Sequence, residues 1–295
     1  MRVNEPGGFS RSDCVFLSRR ETPPGELALM SLPADFESAA NEAWERVRAA
    51  PGFLTEREAR FLALAAAAAP GRGVILEIGS FKGKSTVGLA SVAARYGLGK
   101  VVAVDPFTAP SSTDPDLRGQ ASSYDDFRRT LAQAGLADQV EVHATFSKNL
   151  ARGWSRPIRF LWIDGDHTYH GAKHDLDLFA PHVVEGGIVA LHDVLHRFEG
   201  PIRVFVEDVL RSDRYGPAGF CGSIGWAQFR PQDGGAPRFR TGRRALARRA
   251  ARLIPLSARR RGPGALGKLR YQLLRALVPH GDVAPDAWVE LVALS

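Results

Sequence analysis

The chain has 295 residues, of which 44% are hydrophobic and 24% charged, proportions that are typical of a globular protein and exclude a fibrous or disordered one. It contains no run of 18 apolar residues, and its amino terminus lacks the apolar segment of a secretory signal. We therefore expect a cytoplasmic protein without a membrane span. Two cysteines, Cys14 and Cys221, are too few for a disulfide framework or a thiolate metal site.

The net charge of +7 is unevenly distributed along the chain. Residues 238–275 hold 13 Lys and Arg residues and no Asp or Glu, which leaves 26 basic against 32 acidic residues elsewhere. The body is therefore acidic, and the basicity belongs to a C-terminal extension. An acidic body argues against nucleic-acid binding.

Composition and periodicity divide the chain into segments. Thr55 followed by Glu58 predicts a capping box at the start of a helix. The predicted segments are a loose N-terminal segment (1–33), two N-terminal helices (34–69), an α/β domain (70–230), a Pro- and Gly-rich linker (231–241) and a basic helical extension (242–295).

Within the central domain, short apolar and β-branched runs alternate with segments of helical periodicity. Apolar strands separated by helix-sized crossovers predict a doubly wound, mostly parallel sheet with helices on both faces. Ligands of such sheets bind at the carboxyl ends of the strands. The predicted strands are residues 74–80 (VILEIGS), 100–106 (KVVAVDP), 139–145 (QVEVHAT), 158–165 (IRFLWIDG) and 186–194 (GGIVALHDV).

A glycine-rich turn follows the first predicted strand, before a helix that begins near Lys84. A phosphate-binding P-loop requires glycine where Ile78 stands, and a dinucleotide fingerprint requires glycine at Phe81. Neither motif is present. Instead, Glu77 lies near the end of the first strand and Asp105 at the end of the second, where a ribose would bind. Two acids around a glycine turn suit a nucleoside that carries positive charge and no phosphate, such as S-adenosylmethionine.

These residues resemble the class I S-adenosylmethionine-dependent methyltransferases. LEIGSFKGKST (76–86) is similar to their first motif, AVDPF (103–107) to their second, and HATFS (143–147) lies where that family lines the adenine pocket. The resemblance implies a Rossmann-like sheet of seven strands, closed by an antiparallel pair near residues 219–229. It implies cofactor contacts from Glu77, Gly79, Ser80, Gly83, Ser85, Asp105, Thr145, Phe146, Ser147 and Asp164.

The next two strands end in WIDGDH (162–167) and ALHDV (190–194), so their polar residues can converge at adjacent sites. The arrangement is similar to that of the metal-dependent O-methyltransferases, including catechol O-methyltransferase and the enzymes that methylate sugar hydroxyls. The resemblance implies a divalent ion, Mg²⁺ or Mn²⁺, on Asp164 and Asp193, with Asp166 as general base. His192 stands beside Asp193 as a third ligand, where the family more often has a carboxylate or Asn. An imidazole favours Mn, Fe or Zn over Mg, so the metal's identity stays open.

His167 is a second candidate for the base, because an imidazole accepts a proton near neutral pH without help from a metal. Asp166 needs a metal to acidify the acceptor, so both residues are kept as alternatives. On the following helix, Asp175 and Asp177 are predicted to be surface charges.

The leading hypothesis is a metal-assisted O-methyltransferase acting on a sugar, glycan or polar natural product. The alternatives are a metal-independent methyltransferase with His167 as base, a membrane- or polyanion-binding protein on a methyltransferase scaffold, and a nicotinamide-dependent oxidoreductase, which Phe81 disfavours. The long loop at 107–126 is a candidate substrate-binding element. For the basic extension we expect docking or a homo-oligomer contact first, peripheral membrane contact through residues 242–278 second, and nucleic acid last.

Overall fold

The computed structural model describes residues 32–115, 117, 119–257 and 264–293. The segment predicted to be loose, residues 1–33, lies outside the described residues except for its last two. Within the described part, one sheet contains seven strands: β1 (Val74–Ile78), β2 (Val101–Val104), β3 (Val140–His143), β4 (Ile158–Ile163), β5 (Val183–Leu191), β6 (Tyr215–Cys221) and β7 (Ile224–Phe229).

The strand order is β3-β2-β1-β4-β5-β7-β6, with β1 to β5 parallel and β7 antiparallel to both β5 and β6. The predicted doubly wound sheet and its antiparallel closing pair are confirmed. Ile78 pairs with both Val104 and Ile163, and Ile163 pairs in turn with Leu191. The four central strands therefore end level with one another, and the residues that follow them meet at one edge.

Helices cover both faces of the sheet. The predicted capping box is confirmed: Thr55 accepts from the Glu58 amide, while the Glu58 carboxylate accepts from the Thr55 amide at 3.0 Å. The helices in the described residues are α1 (Phe36–Ala49), α2 (Glu56–Ala68), α3 (Lys84–Arg95), α4 (Tyr124–Gln133), α5 (Ser147–Ala151), α6 (Tyr169–Phe179), α7 (Glu199–Val204), α8 (Pro237–Ala250), α9 (Ile254–Ser257), α10 (Gly264–Ala276) and α11 (Pro285–Ala293).

The linker predicted over 231–241 is wrong in its second half, because α8 begins at Pro237. Proline suits this position, since the first amide of a helix has no intrahelical partner. The buried guanidinium of Arg243 then donates to the Gly234 carbonyl at 2.8 Å and to the Gly216 carbonyl of β6 at 3.4 Å, while α8 packs against β6. Residue patterns report only local structure. The contact between α8 and the turn before it is a tertiary contact, so the sequence pattern did not predict it.

Two hydrophobic clusters hold the helices on the sheet. One lies beneath α1 to α4 and includes Trp288 of α11, and the other lies beneath α6 to α8 and includes Val278. Central strands buried on both faces explain why their sequences are apolar throughout. None of the described helices is long and apolar enough to cross a membrane.

Candidate active site

A cavity of about 710 Å³ lies at the carboxyl ends of β1, β2, β4 and β5. Its walls come from three loops, at residues 51–54, 109–115 and 196–198. The second of these belongs to the 107–126 loop, which the sequence marked as a substrate-binding candidate. The volume falls in the range of sites that enclose a drug-sized ligand.

Asp105 organises the turn after β1. Its carboxylate accepts the amides of Ser80 and Phe81, both at 2.8 Å, and the amide of Phe107 at 2.5 Å. Burial raises the pKa of Asp105, although the three amides oppose this effect. The residue also lines the cavity, so it can fix the glycine turn and face a ligand hydroxyl together.

Gly79 allows β1 and β4 to approach each other closely. Its φ is +86°, and a Cβ at this position would lie 2.2 Å from the carbonyl oxygen of Asp164. Both the backbone conformation and the lack of space therefore require glycine. Gly83, with φ of +89°, is the N-cap of α3 and is not among the residues that line the cavity.

Glu77 does not face the cavity, contrary to the expectation of ligand contact. It is fully buried, and its carboxylate accepts hydroxyl hydrogen bonds from Ser80 (3.0 Å), Ser85 (2.5 Å) and Thr86 (2.5 Å). Burial raises the pKa of Glu77 to about 7. Ser80 and Ser85 do line the cavity, so Glu77 supports the ligand-facing residues from behind.

The turn after β3 contributes Phe146 and Ser147 to the cavity, whereas Thr145 is not among the lining residues. Ser147 donates at 2.5 Å to Asp175, which also lines the cavity. Asp175 is 5% exposed, and burial raises its pKa to about 7, so its prediction as a surface charge is wrong. Asp177 is exposed as predicted and pairs with Lys173 at 2.9 Å.

The lysine after the glycine turn is not arranged to bind phosphate. The ammonium of Lys84 donates to the carbonyls of Val47 (2.8 Å) and Ala50 (2.6 Å) at the end of α1. The cavity is lined by six carboxylates against four Lys and Arg side chains, an excess of acids that favours a cationic ligand over a nucleotide phosphate. The carboxylates that line it are Asp105, Asp114, Asp164, Asp166, Asp175 and Asp193.

A cluster of two carboxylates and an imidazole occupies the ends of β4 and β5. One ligand atom from each of Asp164, His167 and Asp193 lies within 4.8 Å of the others. His167 Nε2 is 3.1 Å from Asp193 Oδ2 and 3.6 Å from Asp164 Oδ1. Burial lowers the pKa of His167, but the two carboxylates outweigh this effect and raise it to about 9.

The backbone at Asp193 is strained, since this non-glycine residue has a φ of +55°. Such conformations cost about 1–3 kcal/mol and collect at functional sites. His167 stacks on Phe198 at a centroid distance of 4.5 Å, which fixes its ring within the cavity wall. The Nδ1 of His167 is buried without a hydrogen-bond partner in the described structure, whereas its Nε2 faces Asp193 and Asp164.

His192 lies beside the converging group, with its Nδ1 3.8 Å from Asp193 Oδ1, and its role as a metal ligand stays a prediction. Its Nδ1 lies 3.1 Å from Asp164 Oδ1, while its Nε2 turns toward Glu58 on α2, 3.8 Å away. Burial lowers the pKa of His192, but Asp164, Glu58 and Asp193 raise it well above the usual value. Burial raises the pKa of Glu58, but His192, Thr55 and Ser223 lower it further than burial raises it. His192 therefore borders the cavity and connects Asp164 to Glu58 on α2.

Asp166 anchors the substrate loop. It accepts hydrogen bonds from the Ser111 hydroxyl (2.8 Å), the Thr113 hydroxyl (3.1 Å) and the amide and hydroxyl of Thr168 (2.8 and 2.9 Å). Burial raises its pKa, but these donors lower it more. A carboxylate so well solvated by hydroxyls is a weak base. Asp166 lines the cavity, but its geometry favours a structural role over proton transfer.

Sequence reasoning did not identify Glu58 or Asp175 as site residues. The sequence predicted Glu58 only as part of a helix capping box, and Glu58 lies far from the strand ends in sequence. Asp175 sits one position before Leu176 on a helix with mixed polar and apolar residues. Its burial depends on the contact with Ser147, which no local pattern reveals.

Comparison with known proteins agrees with this geometry. Residues 76–194 match the family model described as a methyltransferase domain. Residues 76–194 are a methyltransferase domain. The match spans β1 through the loop after β5, which includes Asp105 and the cluster of Asp164, His167 and Asp193. The resemblance to class I S-adenosylmethionine-dependent methyltransferases is confirmed for this domain.

Several solved structures are similar to this methyltransferase. The O-methyltransferase NovP is 15% identical, with a TM-score of 0.54 over 67% of this chain and 98% of that chain. An O-methyltransferase from Bacillus cereus in complex with SAH is 22% identical (TM-score 0.46, 67% and 92%). TomG from Streptomyces achromogenes, solved with SAM, is 18% identical (TM-score 0.48, 69% and 92%). The likeness to NovP shows a shared fold.

Proposed function

We propose that the protein transfers a methyl group from S-adenosylmethionine to a hydroxyl of a sugar, glycan or polar natural product, assisted by a divalent metal ion. One observation carries this proposal. Asp164 and Asp193 converge with His167 in the same cavity that Gly79 and Asp105 line. A methyl-donor site beside a cluster suited to activating a hydroxyl supports the proposal.

The residues of the donor half fit the cofactor. When bound, S-adenosylmethionine supplies a methyl group on a cationic sulfur. Asp105 offers a buried carboxylate to the ribose hydroxyls, and Phe146 and Ser147 border the space expected for the adenine. The acidic lining stabilises the positive charge of the sulfonium and disfavours phosphate-bearing nucleotides.

The residues of the acceptor half fit a divalent ion. Asp164 and Asp193 are close enough to share one ion, which when bound would lower the pKa of an acceptor hydroxyl. The nearby imidazole makes Mn²⁺ a better candidate than Mg²⁺, which prefers oxygen ligands. His167 borders both carboxylates and is placed to accept the acceptor's proton as the oxygen–methyl bond forms and the sulfur–methyl bond breaks.

A metal-independent reaction is the second candidate, and one specific observation favours it. The imidazoles of His167 and His192 already neutralise Asp164 and Asp193 within the described structure. In that case His167 alone would remove the proton, and because the two carboxylates raise its pKa to about 9, turnover should rise with pH up to about that value. Chelation separates the two candidates, because only the first loses turnover when divalent ions are removed.

The test is methyl transfer from radiolabelled S-adenosylmethionine to a panel of sugars, glycans and polar hydroxyl compounds. We expect label in at least one hydroxyl acceptor, lost with EDTA and restored by Mn²⁺. His167→Gln should abolish turnover, Asp166→Asn should weaken it less, and the exposed Asp177→Asn is the control. Label found only in an amine or carbon position would contradict O-methylation, and activity that survives EDTA would contradict the role of the metal.

Other expectations from the sequence stay predictions at this stage. They are a cytoplasmic location, a homo-oligomer, and peripheral membrane contact through residues 242–278. The methyltransferase domain by itself indicates a small-molecule acceptor.

A further inference from the structure

Helix α10 has two apolar faces, and among the residues that the structure describes only one of them is packed. Tyr271, Leu274 and Val278 contact the hydrophobic cluster beneath α6 to α8. The other face is exposed and presents leucines at helical spacing, continuing into the turn after the helix. These are Leu266 (84% exposed), Leu269 (54%), Leu273 (61%) and Leu277 (55%). Single exposed apolar residues are normal on a protein surface, but a contiguous row of four leucines is typical of an interaction site.

The surroundings of this leucine face are strongly basic. Lys268 and Arg270 are exposed on α10 itself, and α10 packs against α8 and the turn at 251–253. That neighbouring region exposes Arg244, Arg248, Arg249 and Arg252. No carboxylate among the described residues forms an ion pair with any of these six cations. Residues 238–275 also contain no Asp or Glu.

We propose that the leucine face of α10 lies on an anionic phospholipid bilayer. Exposed leucines beside unpaired Lys and Arg match both the apolar interior and the negative headgroups of such a surface. A second copy of the chain would bring like charges together around the leucines, which opposes dimer formation. Nucleic acid would require stacking residues, but Tyr271, the aromatic residue of α10, packs inward.

The position of α10 ties this surface to the active site. The Tyr271 hydroxyl donates to the carbonyl of His196, which lines the cavity three residues after Asp193. A bilayer under α10 therefore lies beside the loop that carries one of the proposed metal ligands. This placement favours an acceptor hydroxyl carried by an amphiphilic, lipid-anchored molecule. That inference about the acceptor rests on the proposed function.

Vesicle flotation of the full chain tests the proposal. Wild type should float with vesicles of phosphatidylcholine and phosphatidylglycerol, and not with phosphatidylcholine alone. Leu269→Ser/Leu273→Ser should lower the partition coefficient at least about tenfold through lost apolar burial. Lys268→Glu/Arg270→Glu should lower the partition coefficient about 30-fold or more, because each basic charge removed lowers it roughly fivefold. Leu291→Ser, at a 40% exposed leucine of α11, is the matched control and should float like wild type.

The same samples separate this proposal from the methyltransferase assignment. All variants should bind S-adenosylmethionine in calorimetry as tightly as wild type, which also shows that they are folded. Wild type that binds S-adenosylmethionine but does not float would overturn the membrane proposal and leave the enzyme assignment intact. A dimer in size-exclusion chromatography that dissociates in the leucine variant would overturn it in favour of a second copy. Equal retention on RNA and on anionic vesicles would overturn lipid selectivity.

Discussion

The substitution Glu77→Gln should change how stability depends on pH. Folding raises the pKa of this fully buried carboxyl from 4.5 to about 7. An acid with a raised pKa holds its proton more tightly in the native state, so its stabilising contribution is complete below pH 4.5. That contribution is lost as pH rises toward about 7. Each pKa unit corresponds to about 1.4 kcal/mol, so the rise from 4.5 to about 7 makes the loss about 3 kcal/mol.

Glutamine has the same shape and no ionisation, and the three surrounding hydroxyls can reorient to donate or accept. The unfolding free energy of Glu77→Gln should therefore gain about 3 kcal/mol relative to wild type between pH 4.5 and 8. Urea unfolding at several pH values measures the difference, with the exposed Glu45→Gln as baseline. A difference that stays constant with pH would refute the buried-proton reasoning. Unchanged affinity for S-adenosylmethionine at pH 6 would further support a role behind the cavity wall.

Three other substitutions test separate parts of the site. Asp105→Asn should weaken S-adenosylmethionine binding about 10- to 100-fold in calorimetry, because a charge-assisted hydrogen bond contributes about 1.5–3 kcal/mol; unchanged affinity would remove Asp105 from the cofactor site. Gly79→Ala should lower the unfolding free energy by more than about 2 kcal/mol, since its Cβ meets the backbone, whereas Gly97→Ala has open space and should cost only about 1 kcal/mol. Equal costs would show that contact with the β4 turn is unimportant. Glu58→Gln should destabilise the fold by about 3 kcal/mol in urea unfolding, because it removes a buried carboxylate that faces Nε2 of His192; an effect under about 0.5 kcal/mol would show that the pair is not coupled.

The fold could be predicted because its determinants are local. Apolar runs of strand length, turn glycines and the capping box at Thr55 are each read within a few residues of sequence. The convergence of Asp105, Asp164 and Asp193 follows from parallel topology, since level strand ends bring their following residues together.

The directions of individual side chains could not be predicted in the same way. His192 and His167 both follow strands in polar motifs, and sequence alone assigned the first to the metal. The structure brings both imidazoles against the carboxylates, with His192 Nδ1 3.1 Å from Asp164 and His167 Nε2 3.1 Å from Asp193. It also sets the other ring nitrogen of His192 near Glu58 on a distant helix. Such choices depend on tertiary neighbours. The same holds for Glu77, whose three hydroxyl partners close it off from the cavity.

The predicted C-terminal boundary of the linker was wrong for a related reason. Pro and Gly between residues 231 and 241 indicate a turn, but a proline also suits the first turn of a helix. Only the contact between Arg243 and the Gly234 carbonyl shows where α8 begins to pack.

A divalent metal held at the ends of β4 and β5 can be tested by Mn²⁺ binding without knowledge of the acceptor. Electron paramagnetic resonance should show one Mn²⁺ bound per chain in the presence of S-adenosylhomocysteine. Asp164→Ala and Asp193→Ala should each abolish that binding, while Asp177→Asn preserves it. No bound Mn²⁺ in wild type, or equal binding after both alanine substitutions, would contradict the metal site.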